Sequence, residues 1–278
     1  MTAGTLLAVD GDSLAHRAYH GLPKHLKDGE GRPANALIGF ANFLQRLWDA
    51  ERPEAVLVGW DTLETPTYRH VALSAYQSGR EFEDSILEQL DRLPELVVSF
   101  GFLVGKADGY EADDFLAAAA KRWPGPVVVA TSDRDAFQLV SDRVSILQPV
   151  KGVSELARVG PDEVRERYGV EPEQVPDFIA LRGDASDRIP GAPGVGPKKA
   201  ADILRQHGSL EGALADGRFP GIADDLRLYL RIARMDAGAP LPELVPTPPD
   251  WAQAARYADS IGLGALAGRL AERASAEA

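Results

Sequence analysis

A mostly parallel central β-sheet flanked by helices, followed by a helical region, is the α/β fold class this sequence predicts. Three observations carry that expectation. The apolar runs at residues 6–9, 55–60 and 127–130 are continuous rather than alternating, as strands buried on both faces are. Segments with apolar residues at helical spacing lie between them, the alternation of a parallel sheet with crossover helices. Beyond about residue 160 the strand-like runs stop and every further segment reads as helical.

The elements follow in order. Leu6-Leu7-Ala8-Val9 is a buried strand that ends on Asp10-Gly11-Asp12, and residues 13–19 form a short helix before a loop rich in Gly, Pro and Lys. Between residues 35 and 50, Ile38, Ala41, Leu44, Leu47 and Trp48 recur at helical spacing. The strand at 55–60 ends on Asp61. Residues 62–79 form a polar connection long enough to have a function of its own over the sheet's edge. Residues 84–100 are helical in pattern, and Pro94 is expected to kink or split that helix. The strand at 127–130 runs into Thr131-Ser132-Asp133-Arg134-Asp135, and residues 144–147 make a further strand. Pro161 and Gly169 bracket a short helix. Residues 239–250 are proline-rich, an extended strap before a last helical pair. The expected division is therefore 1–160 and 161–278, without a flexible Gly/Ser linker between them.

Composition removes several classes. No run is long and apolar enough to span a membrane, and the N-terminus lacks the basic and apolar regions of a signal peptide, so a cytoplasmic protein is expected. The absence of cysteine excludes disulfides, thiolate catalysis and thiolate-bound zinc. The net charge of −12 argues at first against a nucleic-acid partner. Its meaning depends on where the acids sit.

Many of them sit together. Glu111, Asp113 and Asp114 open one helix. Two like charges about 4 Å apart cost roughly 4 kcal/mol at an effective dielectric near 20, against about 5–15 kcal/mol for a whole domain. A buried cluster of this kind needs protons or cations. In parallel α/β sheets ligands bind beyond the carboxyl ends of the strands, and three strands here end on acids: Asp10, Asp61, and the pair Asp133 and Asp135. One strand-end Asp is ordinarily a turn former; several converging on one edge point to a metal site. All-oxygen ligands suit Mg²⁺ or Mn²⁺.

In the second half, residues 178–183 lead through Asp184-Ala185-Ser186-Asp187 to Gly194-Val195-Gly196, which opens a helix beginning Pro197-Lys198-Lys199. Glycines allow close backbone approach to a phosphate, and the helix N-terminus and two lysines add positive potential.

Together these residues resemble the 5′-nuclease family, which includes the 5′–3′ exonuclease domain of bacterial DNA polymerase I, phage 5′-nucleases and flap endonucleases. The resemblance rests on Val9-Asp10-Gly11, Asp61, residues 109–114, 131–135, 138–142 and 183–187, and on Pro193-Gly194-Val195-Gly196 as the family's helix–three-turn–helix near 178–207. It runs from about residue 5 to 275, and without a polymerase segment the chain resembles a stand-alone member or an excised domain.

The resemblance implies a PIN/5′-nuclease-like core with a helical arch near 62–100, and a DNA-binding helical region after it. It implies a first metal cluster of Asp10, Asp61, Glu111 and Asp113 with Asp114 close by, and a second of Asp133, Asp135, Asp184 and Asp187. Two Mg²⁺ or Mn²⁺ ions would serve an in-line phosphoryl displacement, with K⁺ held by loop carbonyls of the helix–three-turn–helix. The implied partner is DNA with 5′ flaps, nicks or recessed 5′ ends, bound by a monomer. The implied DNA contacts are Gly194, Val195, Gly196, Lys198, Lys199, Tyr76, Gln77 and Arg17, and the implied catalytic cations are Arg80 and Arg69. With nine acids in the site, 33 remain against 30 basic residues, so the rest of the surface is near neutral.

One departure matters. The family's arch carries Tyr-Lys-x-x-Arg, whereas this chain reads Tyr76-Gln77-Ser78-Gly79-Arg80. Glutamine can donate a hydrogen bond but cannot neutralise phosphate charge, so slower turnover is expected. Two other readings are a catalytically weakened homologue that binds branched DNA, and a PIN-like ribonuclease.

Overall fold

The computed structural model describes residues 3–79, 81–151 and 155–277. Arg80 lies outside them. Strand β1 (Leu6–Asp10) leads into helix α1 (Gly11–Gly21) and α2 (Asn35–Glu51), then β2 (Ala55–Gly59). The connection at 60–83 contains the short α3 (Tyr68–Ala72), and α4 (Asp84–Ser99) precedes β3 (Leu103–Gly105). Next come α5 (Ala112–Arg122), β4 (Val127–Ala130), β5 (Val144–Lys151) and β6 (Glu155–Val159). Described elements after Val159 are helical: α6 (Pro161–Tyr168), α7 (Val175–Arg182), α8 (Pro197–His207), α9 (Leu210–Ala215), α10 (Ala223–Ala233), α11 (Trp251–Ser260) and α12 (Gly264–Ala276).

The six strands form one sheet in the order β3-β2-β1-β4-β5-β6, parallel except for the antiparallel edge strand β6. The chain winds outward from β1 to β3 and then returns to place β4 on the other side of β1. That reversal is a topological switch point, where ligands bind in open α/β sheets. Strand residues alternate between two cores. Leu6 and Ala8 face one with Leu57, Val127 and Val129; Leu7 and Val9 face the other with Val56, Val58 and Val128. Burial on both faces explains why these strands read as continuous apolar runs.

Pro94 neither splits nor ends α4, which runs from Asp84 through Ser99, so of the expected kink or split the split does not occur. A proline within a helix removes one backbone bond, but Leu90, Leu93, Leu96 and Val97 around it are buried in the second core. Packing of four apolar side chains, each contributing about 1.5–3 kcal/mol on burial, outweighs a penalty of about 3 kcal/mol.

The proline-rich strap returns the chain to the sheet. Val56 N–H donates to Thr247 Oγ1 at 2.7 Å, and Thr247 N–H donates to the Glu54 carbonyl. Strand β3 is only three residues long and pairs with β2 from Leu57 onward, so the strap supplies the acceptor that β3 does not reach. Helices α11 and α12 then pack into the second core through Trp251, Leu266 and Leu270. The last helices of the chain thus complete the α/β core that its first half began.

Candidate metal centre

The site assembles at the carboxyl ends of β1, β2 and β4. Asp10 closes β1 and also caps α1, accepting the Ser13 N–H at 3.0 Å. Thr131, the first residue after β4, donates its hydroxyl to Asp10 at 2.6 Å across the switch point. The tight passage between β1 and α1 requires glycine, because a Cβ on Gly11 would lie 2.6 Å from both the Gly59 carbonyl oxygen and the Trp60 ring. Asp61 follows β2 and accepts the Ala112 N–H at 2.7 Å, which docks the start of α5 onto the sheet edge.

These elements surround a cavity of about 430 Å³. Eight carboxyl groups line it: Asp10, Asp12, Asp61, Glu111, Asp113, Asp133, Asp135 and Asp187. His16 and Phe82 face each other there with ring centroids 4.9 Å apart.

Two acids of the expected metal set stand outside that lining. Asp114 is fully buried as the third residue of α5 and accepts from the Glu111 N–H at 3.1 Å, the Asp236 N–H at 2.7 Å and the Tyr68 hydroxyl at 3.0 Å. Asp184 is held at 2.9 Å by Arg182 and accepts the Ser186 N–H at 2.8 Å. It sits at the base of a small loop closed by paired backbone bonds between Asp184 and Ile189. That loop brings Asp187 to the cavity.

Arg69 lies beneath the acids rather than at the mouth. Its side chain is 2% exposed. The guanidinium contacts Glu111 at 2.8 Å, forks onto both oxygens of Asp113 at 3.0 Å, reaches Asp114 at 2.9 Å, and donates Nε–H to the Ile232 carbonyl at 3.0 Å. All its donors are engaged, so it acts here as the counter-ion of the cluster. Glu111 is held further by the Thr67 hydroxyl at 2.7 Å and the Tyr76 hydroxyl at 3.0 Å. Gln77 donates Nε2–H to the Tyr76 hydroxyl at 2.8 Å and to Asp187 at 3.2 Å, joining the first-half acids to the second-half loop.

Electrostatics follow from this crowding. Burial raises the Asp10 carboxyl to about 7 against the lowering effect of the Thr131 and Ser13 bonds, with Asp61 and Asp133 adding repulsion. Burial also holds Asp12, Asp113 and Asp135 well above the usual carboxylate range; neighbouring acids add to this, while Arg69 opposes it at Asp113. Burial raises Asp114 as well, with Arg69 opposing. Burial works against the Arg69 charge, but Asp113, Glu111 and Asp114 raise its pKa well above the ordinary arginine range.

The donor chemistry fits hard divalent cations. The acids supply only oxygen, the chain has no cysteine, and Ser132 adds a lining hydroxyl buried without a partner. Among the described residues no three acidic or imidazole groups are already closed on one point as ligands. Arg69, Tyr76, Thr67 and the Ala112 N–H hold them instead.

Asp12 was not among the sequence candidates. Its carboxylate accepts the Asp61 N–H at 2.7 Å, fixing the turn that presents Asp61. Its place two residues after Asp10 was the available signal. Lys198 and Lys199 are exposed at the start of α8, and Lys199 Nζ donates to the Gly194 carbonyl at 2.9 Å, where Gly194 has φ +72°. Val195 and Gly196 share that turn, and Arg17 follows the lining residue His16 on α1; none of the three lines the cavity itself.

A family model described as the 5′-3′ exonuclease, N-terminal resolvase-like domain matches residues 5–169, and one described as the 5′-3′ exonuclease, C-terminal SAM fold matches residues 170–239. DNA polymerase I of Mycobacterium tuberculosis is 43% identical over 233 residues, covering 81% of this chain and 26% of that protein. The thermostable DNA polymerase I of Thermus thermophilus is 38% identical over 281 residues, covering 96% of this chain and 32% of its own. This chain thus spans about a quarter to a third of the length of those relatives. The flap endonuclease of bacteriophage T5, solved with DNA and metal ions, superposes with a TM-score of 0.70 at 20% identity, covering 98% of this chain and 99% of that one. The flap endonuclease of Methanococcus jannaschii gives 0.61 at 14% identity, covering 100% of this chain and 95% of that one. At these identities the structural likeness is one of fold.

Proposed function

Because this chain belongs to the 5′–3′ exonuclease family, we propose that it is a structure-specific 5′ nuclease that hydrolyses DNA phosphodiesters with divalent cations held in its acidic cavity. The observation that carries the reading is the convergence of eight carboxyl groups at the sheet's switch point. They come from the ends of β1, β2 and β4, the starts of α1 and α5 and the loop after α7.

In this reading Asp10, Asp61, Glu111 and Asp113 would hold one Mg²⁺ or Mn²⁺, and Asp133, Asp135 and Asp187 a second, with Asp114 and Asp184 bracing them from behind. Bound there, the two ions would polarise the scissile phosphate and make water a stronger nucleophile. The chain's own residues set the geometry. Asp12 orients Asp61, Thr131 orients Asp10, and Arg69 with Tyr76 holds Glu111 and Asp113 in fixed rotamers. Pre-set groups of this kind reduce reorganisation at the moment of reaction. In the hydrolysis the water oxygen forms a bond to phosphorus while the bond to O3′ breaks. The water's proton leaves to solvent and the O3′ takes one up, giving a 5′-phosphate and a 3′-hydroxyl.

Positioning of the duplex falls to the turn at 194–196 and the exposed Lys198 and Lys199, through phosphate contacts that carry no sequence information. A K⁺ in the same loop would share the Gly194 carbonyl with Lys199, whose ammonium group donates to it. The substrates proposed are 5′ flaps, nicks and recessed 5′ ends, met in the cytoplasm by a monomer. Among the described residues no helix is long and apolar enough to cross a membrane.

The alternative of a DNA binder without catalysis draws on Gln77, whose amide is engaged by Tyr76 and Asp187 and adds no charge. One assay separates the readings. Purified protein is incubated with 5′-flap duplex, nicked duplex and single-stranded RNA, in Mg²⁺ or in EDTA. Cleavage of flap or nick only in Mg²⁺ is the expected result. Tight flap binding without cutting would leave the binder; cutting of RNA alone would leave a PIN-like ribonuclease.

A further inference from the structure

We propose that Arg188 is a residue that brings positive charge to the substrate phosphate beside this site, in addition to the expected Arg80, an inference that deepens the nuclease reading and rests on it. The cavity presents a polyanion with an electrostatic problem. Eight carboxyl groups line it, and Arg69 is the only Lys or Arg among the described lining residues. Arg69 is buried and its donors are spent on three acids and a carbonyl. Arg69 and two dications together would still be outnumbered by the carboxyl groups. A phosphodiester entering there needs a cation that is free to move onto it.

The lip is built from two chain segments that meet at Asp187. Gln77 N–H donates to the Asp187 carbonyl at 3.3 Å, and the Gln77 amide donates to the Asp187 carboxylate at 3.2 Å. The next residue in the loop, Arg188, folds its side chain back along this seam. A Cβ built on Gly79 would lie 3.0 Å from Arg188 Nη2. The guanidinium therefore lies against the end of the 76–79 segment, two residues from Gln77 and one from Asp187. It is exposed, and it takes no part in holding the loop's own acid, because Arg182 does that for Asp184.

Both seam residues adopt left-handed backbone conformations, with φ +47° at Gln77 and +56° at Arg188. Glycine or asparagine enters that region more readily than arginine. The fold thus holds a strained, solvent-facing arginine next in sequence to the cavity-lining Asp187 and close to the lining Gln77, a glutamine that has no charge to offer; Arg188 itself lines an adjoining pocket with Arg182 and Asp184. Gly79 leaves room for the guanidinium, since any side chain there would meet it. A planar guanidinium suits phosphate because it can donate two parallel hydrogen bonds.

The test uses the full chain with Arg188→Asn, Arg188→Lys and the double variant Gln77→Lys with Arg188→Asn. Single-turnover cleavage of a 5′-flap duplex in Mg²⁺ is measured together with thermal stability and the salt dependence of flap binding in EDTA. Arg188→Asn is expected to slow cleavage roughly 10–100-fold, below the roughly 100–1,000-fold of a donor in a water-excluded site because Arg188 is exposed, and its melting temperature should stay level or rise as the strain is relieved. Arg188→Lys should keep the rate within several-fold, and Gln77→Lys should restore much of what Arg188→Asn loses. The slope of log affinity against log salt should fall by about one for Arg188→Asn. Wild-type rate and unchanged salt slope in Arg188→Asn would overturn the inference. So would equal loss of rate and of thermal stability in both single variants, the mark of a structural role. If the wild type binds flaps but never cuts them, the nuclease reading fails, and the salt slope alone then decides whether Arg188 touches phosphate.

Discussion

Replacing Arg69 by alanine would leave Glu111, Asp113 and Asp114 without their shared counter-ion and the Ile232 carbonyl without its donor. Breaking a buried ion pair by removing one partner costs about 3–5 kcal/mol, and an orphaned buried acceptor adds about 1–3 kcal/mol. Proton uptake by the acids relieves part of this, so the expected loss is about 4–6 kcal/mol, a large share of the roughly 5–15 kcal/mol that holds a domain together. The melting temperature should fall by roughly 10–20 °C at pH 7.5 without divalent cations. Arg69→Lys should recover less than half of that, because one ammonium cannot fork onto three carboxyl groups as a guanidinium does. The deficit should shrink as pH falls, since protonated acids no longer need the cation, and Mg²⁺ should partly offset it. Scanning calorimetry of the three proteins at pH 5.5 and 7.5 measures each step. A shift below about 2 °C for Arg69→Ala would refute the claim that this guanidinium neutralises a buried cluster.

Other consequences are simpler to reach. Asp28 is buried, and although burial raises its carboxyl, bonds from the Arg32 N–H and guanidinium, the Glu30 N–H and Arg92 hold it down at about 2. Its folded pKa is depressed, so its contribution of about 2 kcal/mol is present above pH 4 and lost as pH falls through 2; urea unfolding of Asp28→Asn should show a gap from wild type at pH 6 that narrows towards pH 3. Divalent cations should stabilise the fold, by about 2.7 kcal/mol per site at a hundred times the dissociation constant, so the melting temperature should rise with Mg²⁺ and return with EDTA. Gly191→Ala should cost about 2–4 kcal/mol and misplace Asp187, because Gly191 has φ +72° and a Cβ there would lie 2.3 Å from the Gly183 nitrogen. Calorimetry and flap binding would report both effects.

Much of the fold was legible because its parallel strands are buried on both faces and its acids fall at their ends. The runs at 6–9, 55–60 and 127–130 could hardly be anything but central strands. Strand β3, with three residues, and β6, an edge strand with exposed Glu155 and Arg158, were not, since neither carries a continuous apolar run. The C-terminal helices read as part of a second region, yet Trp251, Leu266 and Leu270 pack into the first; amphipathic spacing reveals a buried face but not what buries it. At the site, residue type placed the acids near one edge but not their directions. Asp113 and Asp114 are adjacent in sequence and both meet Arg69, yet helical geometry turns the first towards the cavity and buries the second fully behind it. Arg69 read as a cation for phosphate because its long-range partners were invisible in sequence. Asp12 escaped notice because Asp-Gly-Asp after a strand also reads as a turn.

The central claim is that carboxyl groups at the switch point cut DNA, and Asp133→Ala tests it most directly. Asp133 lines the cavity at its open side, so its truncation should leave the fold and the turn at 194–196 intact. Cleavage of a 5′-flap duplex in Mg²⁺ should then be abolished while flap binding in EDTA stays at the wild-type level. Cutting at an undiminished rate by Asp133→Ala would contradict the account.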